Sequence, residues 1–180
     1  MKSTTGSAIK LHIKYAVPPY RYAAPLKRSL ANSGIQVVTA LPPDAYELIS
    51  NGVVMAGLVP IRMLVDGKLQ PTPGPMVYSE AETMSVLVVS RDPVPLTECS
   101  SIAASPESRS AVAYLGIAME RAGIKSRIIA GFSSNAALLL SISKCALVLG
   151  DEALKARTSF HVVADVGELV NDVLGINPVY

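Results

Sequence analysis

Apolar and polar residues alternate over Ile9–Ala16 (IKLHIKYA), the period of a strand with one covered face. A Val17-Pro18-Pro19 turn follows. Residues 22–33 (YAAPLKRSLANS) then carry a helical pattern. Pro25 falls in its first turn, where a missing N–H is tolerated, and Gly34 supplies the stop. Ile35–Leu41 predicts a second strand, and Pro43–Ser50 a short helix ended by Asn51-Gly52. Val53–Val59 predicts a third strand, so apolar that cover on both faces is expected. The order is βαβαβ, and right-handed crossovers make such strands parallel.

The pattern breaks at Lys68–Pro75, a loop with three prolines and a glycine. Met84–Ser90 (MSVLVVS) is a strong strand signal, and Arg91–Pro95 is a second proline break. That break divides the chain into a first α/β lobe over residues 1–90 and a second over 91–175. Residues 176–180 then begin a crossover back. In the second lobe Ser101–Ala104 predicts a strand. Ser105-Pro106-Glu107-Ser108 has the form of a helix start, with Ser105 as cap and Pro106 at the first position. That helix runs to about Ala122, where Gly123 ends it. Strands at Lys125–Ala130, Cys145–Leu149 and Phe160–Ala164 alternate with helices at Asn135–Ser143, Glu152–Arg157 and Val166–Leu174, the last stopped by Gly175. Two α/β lobes in series leave a cleft between them. Ligands in such sheets bind beyond the carboxyl ends of the strands.

Composition narrows the picture. Half of the 180 residues are apolar but only 5% are aromatic, so aliphatic side chains must build the core. Sixteen basic and 14 acidic residues give a net charge of +2, without the dense basic face that nucleic-acid binding needs. No apolar run approaches the roughly 18 residues of a membrane span, and the first residues lack the apolar core of a secretory signal. A cytoplasmic location is expected. Cys99 and Cys145 lie outside any CxxC motif, so neither a cysteine metal site nor a disulfide framework is expected. Cys145 begins an apolar run and fits a small buried hydrophobe. His12 and His161 fall in strands without metal-ligand spacing, so no metal is expected. GxGxxG, P-loop and GxSxG motifs are absent, and no cofactor is expected.

Three segments could carry chemistry, each with a plainer alternative. Ser105–Ser110 (SPESRS) could hold an anion through helix N–H groups and the side chains of Ser108, Arg109 and Ser110, or could simply start a helix. Asp151, in Gly150-Asp151-Glu152, could bind a hydroxyl or act as a base, or could cap the next helix. Ser79–Thr83 could turn hydroxyls toward a cleft, or form a polar surface turn.

Seven short pieces then fall in the order of a known family. They are Gly57-Leu58-Val59-Pro60, Gly74-Pro75, Val77–Ser79, Ser85-Val86, Ser108-Arg109-Ser110, Leu147–Leu154 (LVLGDEAL) and Asp165–Leu169 (DVGEL). The chain resembles the chorismate dehydratase family of the futalosine route to menaquinone, thinly in the first lobe. The resemblance implies an α/β, two-lobed clamshell of the type II periplasmic-binding-protein kind, with the C-terminal return segment missing. It implies loss of water from chorismate without a cofactor, with a small anionic carboxylate in the interlobe cleft. Ser79 is the catalytic candidate it implies. Tyr22, Ser79, Ser108, Arg109, Ser110 and Asp151 are the substrate-binding candidates. Tyr22 stands where the family carries Asn, and Ile61, Val54-Met55-Ala56 and Val170 also depart from its pattern. A non-catalytic carboxylate-binding protein of the same fold is the alternative. A third reading is a homo-oligomer, in which a second copy covers the first lobe's exposed side.

Overall fold

The computed structural model describes residues 13–179 apart from Lys68 and Ala81. Most of the first predicted strand, with His12, lies outside the described residues; its end is β1, Lys14–Val17. A 3-10 turn over Arg21–Ala23 leads into α1, Ala24–Asn32, with Pro25 in its first turn as expected. β2 is Gln36–Thr39, α2 is Pro42–Ser50 and β3 is Ala56–Gly57. They form a three-stranded sheet, β2-β1-β3, with β1 parallel to both neighbours as the crossover rule requires.

β3 is far shorter than the Val53–Val59 strand expected. The Val53 and Val54 N–H groups turn back to the Leu48 carbonyl at the end of α2, and Pro60 closes the other side. Cover on both faces is also absent: Val53 is 51% exposed and Met55 60%. The small core here joins Ala16, Ala45 and Val54. Gly57 is needed because a Cβ there would stand 2.7 Å from the Cβ of Ala16 on the paired strand.

After a 3-10 turn at Ile61–Asp66 and the proline-rich loop, the chain enters β4, Val86–Ser90. The remaining elements are β5 Ser101–Ala104, α3 Arg109–Arg121, β6 Arg127–Ala130, α4 Ala136–Leu139, β7 Cys145–Leu149, α5 Gly150–Ser159, β8 His161–Asp165 and α6 Val166–Leu174. The second sheet runs β6-β5-β7-β4-β8. β4, expected in the first lobe, is therefore a strand of the second sheet, antiparallel to both β7 and β8. All five of its residues are buried. Its alternate side chains feed two cores, as a strand covered on both faces must. Val86 and Val88 pack with residues of α3 and α6, while Leu87 and Val89 join residues of α4 and α5.

Two further expectations are corrected. Cys99 and Cys145 form a disulfide, with Cα atoms 5.8 Å apart. Cys145 pairs with Ile102 where β7 meets β5, and Cys99 lies just before β5, so sheet register joins residues that sequence keeps apart. The long helix starts at Arg109 rather than after Ser105. Ser108 donates both its N–H and its hydroxyl to the Ser105 carbonyl, folding Ser105–Ser108 into a turn ahead of α3.

α6 has the predicted bounds, and Gly175 ends it at φ 65. The chain then runs back beside the entry segment. The Ser79 N–H donates to the Pro178 carbonyl at 3.1 Å, and Tyr78 and Val179 form an antiparallel bridge. The end of the chain thus lies side by side with the segment that enters the second sheet.

Candidate functional site

A cleft of about 420 Å³ opens where the two sheets face each other. One wall comes from the first sheet's loops, through Tyr20, Tyr22 and Leu58–Pro60. The crossing segment supplies Val77–Glu80 and Glu82–Val86, apart from Met84, and the second sheet's loops supply Glu107, Ser108 and Leu149-Gly150. The site lies past the carboxyl ends of β1, β3, β5 and β7, as open α/β sheets require.

The acidic motifs of the sequence build this geometry. Asp165 is 5% exposed and accepts from the N–H groups of Gly167 and Glu168, capping α6. The same carboxylate accepts from the Thr83 N–H at 2.9 Å, the Thr83 hydroxyl at 3.0 Å and the Met84 N–H at 2.7 Å. It pins the corner at which the chain enters β4; Met84 sits there at φ 59. Thr83, the last residue of the Ser79–Thr83 segment whose hydroxyls could face a cleft, does line it, held by a partner 82 positions away. Glu152 accepts from Asn135 Nδ2 at 3.2 Å and the Ala136 N–H at 2.9 Å, holding the start of α4.

Gly150 brings the lobes together. Its φ is +59, and a Cβ there would lie 2.8 Å from Cδ1 of Tyr20. The ring of Tyr20 is thus laid directly on the backbone of the second lobe. It lies 5.5 Å from the ring of Tyr22. Burial, then the charge of Glu107, hold the Tyr20 phenol well above its ordinary range. Burial and the Asp151 carboxylate push the Tyr22 phenol up to about 12. Both phenols keep their protons at neutral pH, so either can donate a hydrogen bond.

Of the six binding candidates, Tyr22, Ser79, Ser108 and Ser110 line the cleft. The Ser79 hydroxyl donates to the Glu82 carbonyl at 3.3 Å. Ser110 Oγ accepts from the Arg62 N–H of the first lobe at 3.4 Å. Arg109 is exposed and borders a neighbouring cavity of about 450 Å³ with Arg62. Asp151 also stands outside the lining. It faces Arg21 across the lobes, accepting from its N–H at 3.4 Å with the guanidinium Nε 3.9 Å away, and it does not cap α5. The sequence singled out neither Tyr20 nor Glu107 as a cleft residue. Tyr20 shows itself only through the glycine it packs against, and Glu107 is hidden in what resembles an ordinary helix start. Ser85 also lines the cleft. Among the described residues no group of three or more His, Cys, Asp or Glu side chains could hold a metal ion, and no helix is long and apolar enough to cross a membrane.

A family model described as Menaquinone biosynthesis matches residues 13–180. Protein AF1704 from Archaeoglobus fulgidus superposes with a TM-score of 0.62 at 12% identity, over 93% of this chain and 65% of that one. The alkanesulfonate-binding protein SsuA from Xanthomonas axonopodis pv. citri, bound to MOPS, gives 0.61 at 13% identity, over 91% and 63%. An ABC transporter periplasmic substrate-binding protein from Coxiella burnetii gives 0.51 at 14% identity, over 81% and 74%. This chain spans less than two thirds of the length of the first two. At such identities the likeness shows the fold, which is the two-lobed one of type II periplasmic binding proteins. No curated protein matches the chain.

Proposed function

The chain belongs to the menaquinone biosynthesis family, and from that premise we propose that it is a carbon–oxygen lyase of the chorismate dehydratase kind. Chorismate loses water to give 3-[(1-carboxyvinyl)oxy]benzoate. A ring C–H bond and the C–OH bond break, the C–H electron pair becomes a ring double bond, and the proton and hydroxide leave as water. Aromatisation supplies the drive, so the protein's task is to hold the ring and orient the two breaking bonds.

One observation carries this reading: Ser79 from one part of the chain meets Ser108 and Ser110 from another in a single cleft at the start of α3. The first-turn N–H groups of that helix lack acceptors within it and suit a substrate carboxylate. Arg109 and Asp151 stand at the margins, next in sequence to lining residues Ser108 and Gly150. Ser79 contributes a hydroxyl at the reacting centre. A carboxylate of the substrate itself takes the ring proton, so no histidine or lysine base is required. A cytoplasmic site of action belongs to the same reading.

Incubation with chorismate should remove its absorbance, and Ser79→Ala should slow that loss by roughly tenfold or more. No turnover at any protein concentration overturns the lyase reading. Saturable chorismate binding without turnover would instead support a non-catalytic carboxylate-binding protein. Tyr22, standing where the resembled family has Asn, favours that second reading.

A further inference from the structure

Glu107 is 7% exposed and lines the cleft. Its Oε2 accepts from the Ser134 hydroxyl at 2.9 Å. Its other oxygen has no partner among the described residues, and no cation there pairs with it. A carboxylate has room for about four hydrogen bonds, so with one taken by Ser134 the remaining capacity faces whatever fills the cleft. The other two lining carboxylates are exposed and engaged: Glu82 lies 3.8 Å from Arg157, and Glu80 accepts from the Tyr78 hydroxyl. No lysine or arginine lines the cleft among the described residues. Glu107 therefore stands apart as a mostly buried side chain that leaves one carboxylate oxygen open to the cleft, opposite a wall that holds two protonated phenols. Water can fill the acceptor when the site is empty, and a ligand gains by replacing it only if it brings a donor of its own.

We propose that Glu107 is a specificity-determining residue that accepts a hydrogen bond from a ring hydroxyl of the ligand, with Ser134 as its positioning residue. The inference rests on the carboxylate-ligand reading and deepens it. The acid end of the ligand goes to the start of α3, and the hydroxyl end to Glu107. A hydroxyl presented to a carboxylate is also held in one orientation, which suits a group that must depart from a fixed face of a ring.

The test uses two unreactive probes that differ by one hydroxyl, trans-4-hydroxycyclohexanecarboxylate and cyclohexanecarboxylate, with binding measured by calorimetry. The intact chain should prefer the hydroxy acid by about tenfold or more, the size of a hydrogen bond to a charged group. Glu107→Gln keeps an acceptor for Ser134 but removes the charge. It should cut that preference to about threefold or less, with affinity for the plain acid unchanged or improved. If the intact chain binds both probes but shows no preference, or if Glu107→Gln leaves the preference intact, the inference is wrong while the carboxylate reading stands. If the intact chain binds neither probe, both fail together. Should Glu107→Gln not fold, Ser134→Ala serves in its place: a preference reduced by about two- to threefold supports the assignment, and an unchanged one overturns it.

Discussion

Gly150 is the residue on which sequence motif and cleft geometry meet most closely. Two demands coincide there: a positive φ, and space for the ring of Tyr20. Gly123, at the end of α3, has φ +69 but open space around its missing Cβ. The pair separates backbone strain from packing. Gly123→Ala should cost about 1 kcal/mol, the strain alone. Gly150→Ala should cost about 2 kcal/mol more, because the tyrosine ring must move off the second lobe. Urea unfolding of both variants measures the difference, and equal losses would show that the ring yields freely. The two demands also explain why the Gly-Asp-Glu motif is recognisable without its purpose being so. The glycine answers a side chain 130 positions earlier. Asp151 turns to the first lobe and Glu152 to α4, and neither direction is written in the local spacing.

At the scale of elements, the disulfide is the clearest example of order that only register reveals. Both cysteines have no exposed surface, and the bond spans a separation of 46 residues. Replacing both by alanine should lower stability by roughly 2–4 kcal/mol. Thermal unfolding of that variant beside the oxidised protein tests it, and matching transitions would mean the bond adds nothing. Local pattern predicts α6 to the residue, because Asp165 caps its start and Gly175 stops its end within the same stretch of chain. The same logic fails for β3. Val53–Val59 is apolar enough for a buried strand, but the first sheet is too small to cover it, and the end of α2 claims its first two N–H groups. Ser105 has every local mark of a helix cap, yet its carbonyl is taken by Ser108 and the helix begins later. Serines 79, 108 and 110 could be picked out by family likeness. Glu107 could not, since it gains its place only when distant elements dock.

For the whole molecule, the cleft depends on the entry segment and on the return segment beside it rather than on either sheet alone. The entry segment carries Ser79 and Ser85 to the site, and Asp165 anchors its end at the mouth of β4. The return segment braces it through Pro178 and Val179. β4 itself is buried at all five positions and sits between the two strands of the larger sheet that come last in the chain. That position has a consequence for biosynthesis. The ribosome releases Val86–Ser90 well before its partners at Cys145–Leu149 and His161–Asp165 exist. Until they emerge, a strand with every side chain destined for the interior has nothing to pair with, the circumstance in which nascent chains stick to one another. Chains halted at residue 140 should therefore pellet on centrifugation where the full chain stays in solution, and equal recovery of the two would show that β4 is shielded by other means.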